Sequence, residues 1–278
     1  MENDDDEDDI INPVTMILPD EQGEDAKRLC MLQEGASVQQ LQQHYVRSIE
    51  STVVIRQLPS QGLSFQLWPA ATTLVTLLDQ HRCDPSNSPL SSILLDQNRN
   101  LNILELGSGT GLVGIAAAAT LGANVTVTDL PHVIENLQFN ADANATVLTT
   151  NGGAVHVAPL RWGEADDVNL IGRDFDLILA SDVVYHDHLF EPLLETLRLL
   201  LLVDHKTQTE KKEAVFVMAH LRRWKKDSVF FKKAKKLFQV EVLHVDRPSQ
   251  GSRVGVVVYR FAKKLHSLNA SLAKISLT

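Results

Sequence analysis

The stretch 103–115, ILELGSGTGLVGI, decides how this chain is read. A short apolar run carries one acid, Glu105. Glycines follow at Gly107, Gly109, Gly111 and Gly114, and a helix-forming run, Ile115 to Ala119, comes after them. That order predicts a buried strand, a tight turn and a helix. Read from Gly109 the string fits G-x-G-x-x-G, a dinucleotide fingerprint. Read from Glu105 it fits E-x-G-x-G-x-G, which suits a different ligand.

Working outward, strand-like and helix-like segments alternate. LNILEL is followed by a helix over 110–121, ANVTVTDL by a helix over 131–143, and AVHVAPL by DFDLILASDVV. LFEPLLETLRLLLL is a helix, EAVFVMAH a fifth strand, and 224–237 a basic helix. Such alternation predicts an α/β fold, a Rossmann-like parallel sheet covered on both faces. FQVEVLHV and SRVGVVVYRF are separated only by DRPSQG, too short for a parallel crossover, so they form a C-terminal antiparallel hairpin. Upstream, SIESTVVIRQL and LSFQLW flank a Pro/Gly turn and read as an N-terminal hairpin, and Pro69 opens a helix to His81. The expected layout is an acidic tail and loose lead-in over 1–47, one domain over 48–262, and a peripheral tail over 263–278.

Composition narrows the function. The chain has 278 residues, 44% of them hydrophobic, enough for a sizeable core. The net charge of −9 is largely the work of DDDEDD at 4–9, a block expected to be solvated and disordered. Its plain reading is a solubilising tail, and its alternative a lure for a basic protein. The body has no basic surplus, which argues against a nucleic-acid partner. Cys30 and Cys83 form no metal spacing, and no disulfide framework is expected. The most apolar segment, 189–203, holds Glu191, Pro192, Glu195 and Arg198, so no membrane span is expected. The N-terminus is too acidic for a signal peptide. These points make a soluble monomer of the cytoplasm the expectation, with the nucleus left open.

The glycine loop lies where open α/β sheets bind ligands, at the carboxyl ends of the strands. Asp129 ends the second strand, some twenty residues after Gly107, at the place for a carboxylate that holds ribose hydroxyls. These features suit any adenosine cofactor, and Glu105 separates the cases. A pyrophosphate on this loop would face an acid, whereas S-adenosylmethionine carries an ammonium that a carboxylate can take. The terminal antiparallel hairpin favours the methyl donor too. A nicotinamide enzyme stays as the alternative, as does a tight turn with no ligand.

At this point LWPAATTL, ILELGSGTGLVGIAAA, VTVTDLP, LRWGE and FDLILASDVVY together resemble methyltransferase family 16. These are the seven-strand S-adenosylmethionine-dependent protein-lysine methyltransferases, and the resemblance is to their methyltransferase-21-like branch. It runs over about residues 50 to 260. It implies that Trp68 lines the cofactor site, that Gly107, Ser108 and Gly109 hold the methionine end, and that Asp129 takes the ribose. Trp162 stands beside the adenine, and Ser181 stands where the family often has alanine. Asp182 and Tyr185 match a D-x-x-Y signature at the substrate side. The plain alternatives are that Trp68 and Trp162 are core, that Asp182 caps a turn and that Tyr185 packs.

The implied reaction is methyl transfer to a lysine of a protein substrate, with histidine a lesser option. Asp182 is expected to recruit and orient the ammonium, since a carboxylate opposes its deprotonation. Proton loss is expected to go to water. SDVVY lacks the prolines of base-flipping amino-methyltransferases, so nucleic acid is the weaker substrate. Two further readings stay open: a small-molecule methyltransferase, and a cofactor-binding interaction protein with little catalysis. His186 and His188 read as ordinary loop residues. His220, Arg222 and Arg223 either touch substrate or cover a solvated surface.

Overall fold

The structure is a computed structural model, and it describes residues 39–94, 100–202, 213–223, 225–248 and 255–264. The acidic block, Cys30 and all but the first two residues of the expected C-terminal tail lie outside the described residues. Two strands come first, β1 (Gln40–Val46) and β2 (Ser51–Gln57). Helix α1 (Pro69–Cys83) and the short α2 (Ser91–Leu94) follow. The repeating part is β3 (Asn102–Leu106), α3 (Leu112–Leu121), β4 (Asn124–Asp129), α4 (Ile134–Ala143), α5 (Ala145–Thr150) and β5 (Ala154–Pro159). It continues with α6 (Ala165–Ile171), β6 (Leu177–Ser181), α7 (Phe190–Leu201) and β7 (Val215–Leu221). Helix α8 (Asp227–Leu237), β8 (Phe238–Val245) and β9 (Val256–Lys263) close the fold.

Seven strands form one sheet in the order β5-β4-β3-β6-β7-β9-β8. The first five run parallel, and β9 is antiparallel to both β7 and β8. The expected Rossmann-like sheet with a terminal antiparallel hairpin is therefore present. After β5 the chain returns past β3 to lay down β6, so the strand order reverses between β3 and β6. That reversal opens the crevice in which α/β sheets bind ligands.

Two apolar layers explain why the strand sequences look almost continuously hydrophobic. Ile103, Val125, Leu179 and Val217 face one layer with α1 and α3, while Leu104, Ile178, Phe216 and Phe261 face the other with α7 and α8. Successive strand residues point to opposite faces, and both faces are covered. Helix α3 is buried from Leu112 to Thr120. Its four consecutive alanines fit that place, because small side chains let a helix lie close on a sheet without overpacking.

The N-terminal hairpin is real but lies earlier than expected. Gln40–Val46 pairs with Ser51–Gln57, so its first strand falls inside the stretch read as lead-in. LSFQLW is not a strand; Leu63–Phe65 is a single 3-10 turn. Asparagines of α4 and its end hold β2 in place. Asn144 Oδ1 accepts from the Val54 N–H and its amide donates to the Val54 carbonyl, at 2.9 and 2.8 Å. Asn140 does the same to Arg56, at 2.7 and 3.1 Å. Spaced four apart on one helix face, these amides stand in for a neighbouring strand.

Candidate functional site

The glycine loop is tied down by its own strands. The Ser108 N–H donates to the Thr128 carbonyl (2.9 Å), and Ser108 Oγ accepts from the Thr128 N–H (3.0 Å). The Ser108 hydroxyl is thus occupied by β4. Gly107 has a φ of +61°, and a Cβ there would meet the Trp162 ring at 2.8 Å and Val183 at 3.1 Å. A side chain is excluded by conformation and by space. Trp162 therefore lies directly against the loop, and it is only half-buried.

The third glycine of the G-x-G-x-x-G reading has another task. A Cβ on Gly114 would stand 2.3 Å from Val127 and 2.6 Å from Glu105 Oε2. Its absence lets α3 lie on β3 and β4 and lets Glu105 reach the helix. Glu105 Oε2 accepts from the Gly114 N–H at 2.9 Å, and the residue is 1% exposed. The helix N-terminus favours a carboxylate, but burial outweighs it. Desolvation raises the Glu105 carboxyl to about 8, with help from the nearby negative Asp129.

Asp129 sits across the loop. Its Oδ2 accepts from the Gly109 N–H and its Oδ1 from the Leu130 N–H, both at 2.7 Å. Burial raises this carboxyl as well. Together Glu105, Gly107, Ser108, Trp68 and Ser181 line one cleft with an empty volume of about 280 Å³. No Lys, Arg or His lines it. A desolvated carboxylate in a cleft lined by no cation suits a ligand that brings positive charge, and it is poorly placed for a pyrophosphate.

Trp68 reaches the cleft from the N-terminal segment, and its indole N–H donates to the Leu63 carbonyl at 3.0 Å. The 3-10 turn between hairpin and α1 presses onto the loop, since a Cβ on Gly109 would meet the Ser64 carbonyl at 3.0 Å. Arg223 lies over the Trp68 ring, its guanidinium 5.1 Å from the centroid.

The tip of β6 is more elaborate than its sequence suggested. Asp182 is buried and has a φ of +53°, unusual for a residue with a Cβ. Its Oδ1 accepts from the Leu221 N–H (2.9 Å) and its Oδ2 from Arg223 (3.0 Å). Behind it lies His220, fully buried, with Nδ1 3.7 Å from Asp182 Oδ1 and Nε2 3.1 Å from Asp227 Oδ2. The open choice about residues 220 to 223 resolves by residue. Arg222 is exposed, whereas His220 and Arg223 belong to an interior network around Asp182. Sequence reasoning named Asp182 but not its partners. The only hint was an Arg and a His at the end of the adjacent strand.

Tyr185 is partly buried. Burial raises its phenol, and the Asp129 charge raises it further. His186 and His188 are exposed and stack on each other at 5.3 Å, with His186 4.8 Å from the Tyr185 ring.

Comparisons with known proteins agree with this geometry. A family model described as lysine methyltransferase matches residues 48–237. The zebrafish (Danio rerio) protein N-lysine methyltransferase METTL21A is 33% identical over 202 residues, 73% of this chain and 78% of its own length. The Schizosaccharomyces pombe protein-lysine N-methyltransferase rrg1 is 36% identical over 165 residues, covering 57% of this chain and 50% of its own. Mouse (Mus musculus) EEF1A lysine methyltransferase 3 is 36% identical over 137 residues, covering 49% and 50%. A matching family model over two thirds of the chain and a relative identical at a third of the aligned positions agree: the chain belongs to the lysine methyltransferase family, and its cofactor is S-adenosylmethionine.

Proposed function

We propose that this chain methylates the side-chain amine of a lysine in a protein substrate, at the crevice between the tips of β3 and β6. The observation that carries this reading is the presence of two buried carboxylate sites at the carboxyl ends of the paired strands β3 and β6. One is at the glycine loop, where Glu105 lines the cleft and Asp129 holds the Gly109 N–H. The other is a carboxylate anchored at the β6 tip, Asp182. Glu105, Asp129, Gly107, Ser108, Gly109, Trp68, Trp162 and Ser181 are the residues assigned to the cofactor. Bound there, S-adenosylmethionine supplies an electrophilic methyl group carried on a sulfonium.

Asp182 is assigned to the substrate ammonium, with a change from the simplest picture. Its Oδ1 is fixed by a backbone N–H, and Arg223 occupies one lone pair of Oδ2. A carboxylate oxygen accepts more than one hydrogen bond, so an ammonium can share Oδ2. Arg223 also offsets the charge that would otherwise hold the lysine protonated. Asp182 can therefore orient the amine without opposing its deprotonation as strongly as an isolated carboxylate. Tyr185, in the segment that follows β6, is assigned to closing the site around the amine. We place the protein in the cytoplasm, with the nucleus left open, as a monomer.

The test is transfer of a labelled methyl group. Purified protein, tritiated S-adenosylmethionine and a cell lysate are combined, and the labelled protein is hydrolysed. Label in methyl-lysine supports the proposal. Label only in methyl-histidine moves the chemistry to another side chain, and label in small molecules alone refutes a protein substrate.

A further inference from the structure

We propose that Arg223 is a positioning residue that joins the two sides of the crevice: it sets the Trp68 ring on the cofactor side and the Asp182 carboxylate on the substrate side. What the Asp182 end does rests on the proposed lysine chemistry, whereas the join itself rests on geometry.

The three groups come from distant parts of the chain. Trp68 precedes α1, Asp182 follows β6 and Arg223 follows β7. Trp68 lines the cleft, whereas neither Asp182 nor Arg223 does. The segment before Trp68 is built of two 3-10 turns, Pro59–Gln61 and Leu63–Phe65. The indole N–H donates to the Leu63 carbonyl at 3.0 Å, which ties the ring to that same segment and not to the sheet. Arg223 ties it to the sheet. Its guanidinium stands 5.1 Å from the ring centroid, within the range of a cation–π contact. The Arg223 side chain is 7% exposed, so little solvent screens that attraction.

The same guanidinium donates to Asp182 Oδ2 at 3.0 Å. Asp182 is anchored in turn, since its Oδ1 accepts from the Leu221 N–H at 2.9 Å. A guanidinium spreads its charge and its donors over a plane, so it reaches a carboxylate and a ring at once. A lysine ammonium is a compact point charge and does not. The row Leu221, Asp182, Arg223, Trp68 therefore runs from the sheet to the wall of the cleft.

Coupling through this row works in both directions. Loss of the Asp182 charge frees the guanidinium and loosens the Trp68 ring. By linkage, a cofactor seated against Trp68 holds Arg223 in place and aims Asp182 at the amine. An occupied cofactor site thereby prepares the substrate site.

Calorimetric titration with S-adenosylhomocysteine tests the join. The full chain is compared with Asp182→Asn, Trp68→Leu, the double variant and Arg223→Lys. Asparagine keeps an acceptor for the Leu221 N–H and tolerates the positive φ at this position, but gives up the charge that holds Arg223. Lysine keeps a cation beside Asp182 and gives up the reach to the ring. Each of these two variants should bind about threefold to tenfold more weakly, although neither residue lines the cleft. In the Trp68→Leu chain, Asp182→Asn should cost less than about twofold more, because its effect passes through the ring. Wild-type affinity in either single variant at position 182 or 223 overturns the join. So does a double variant whose losses simply add. Should Asp182→Asn not fold, the same cycle is run with Arg223→Lys.

Methyl transfer from tritiated S-adenosylmethionine into lysate protein reads the other end. Arg223→Lys should raise the KM for the cofactor and also lower the rate at cofactor saturation, since it touches both sides. A raised KM with an unchanged saturated rate overturns the substrate end of the join. A wild-type chain that labels no lysine refutes the lysine chemistry, and the binding cycle still decides the join.

Discussion

Glu105 and Asp182 end neighbouring strands, both are buried, and each accepts a backbone N–H. They differ in one respect. Asp182 has a guanidinium at 3.0 Å, whereas among the described residues no Lys or Arg pairs with Glu105. A desolvated carboxylate without a cation is held largely protonated until a ligand brings positive charge. A desolvated carboxylate with one has its charge offset from within the protein. One crevice therefore holds a site that waits for its charge beside a site that already has it.

The comparison breaks most visibly at Asp182. Asp182→Ala leaves Arg223 buried without its carboxylate and frees the Leu221 N–H. Breaking a buried pair from one side costs about 3–5 kcal/mol, so the denaturant midpoint should fall steeply. A loss of stability under 1 kcal/mol would mean that the pair is solvated and not part of the interior.

At the glycine loop a smaller loss should appear in binding as well as in stability. Gly107→Ala sets a methyl group 2.8 Å from the Trp162 ring at a φ of +61°. The ring must shift from the site assigned to the cofactor. A drop of about tenfold to a hundredfold in S-adenosylhomocysteine affinity is expected, corresponding to ~1–3 kcal/mol. Calorimetric titration reads it, with circular dichroism to check the fold.

Asn140 connects the loop to the hairpin. It is fully buried, and its amide donates to the Thr110 carbonyl at 2.9 Å as well as pairing with Arg56. Asn140→Ala leaves those groups unsatisfied, at a cost of about 1–3 kcal/mol. Hydrogen exchange should rise first at Val54 and Arg56, since they belong to the docked edge. Uniform exchange across the sheet would show that the hairpin and the core open together.

These contrasts also explain what could be read ahead of the structure. The parallel strands were legible because burial on both faces leaves near-continuous apolar runs. Gly107, Asp129 and Glu105 were legible because tight turns and strand tips admit few residue types. The strand QLQQHYV was missed because its inward-facing Gln42 and His44 are polar while Leu41 and Tyr45 are exposed, so no core-facing apolar alternation shows; pairing with β2 makes it a strand. Helix α6, ADDVNLI, is too short for a helical period to show. Arg223 stands 41 residues from Asp182, and no local pattern links them. Pairwise burial of that kind is a property of the folded sheet.

Glu105→Gln tests the waiting site with the smallest change. In the ligand-free chain the Glu105 carboxyl is raised from 4.5 to about 8. The folded state thus binds this proton more tightly than the unfolded state does. Its contribution to stability is fully present below the unfolded value and is lost as pH rises through about 8. Glutamine can keep the hydrogen bond from the Gly114 N–H and has no charge to bury. Stability near pH 7 should change little, and the variant should outlast the wild-type chain above pH 8. Binding should respond in the opposite sense. A cationic ligand favours the ionised acid, so wild-type binding near pH 7 releases up to one proton. Glutamine releases none from this position and should bind about tenfold more weakly, a loss of ~1.4 kcal/mol. Titration in two buffers of different ionisation enthalpy measures the proton directly. Binding without proton release in the wild-type chain, and equal affinity in the variant, would reduce Glu105 to an anchor for α3 and end the contrast with Asp182.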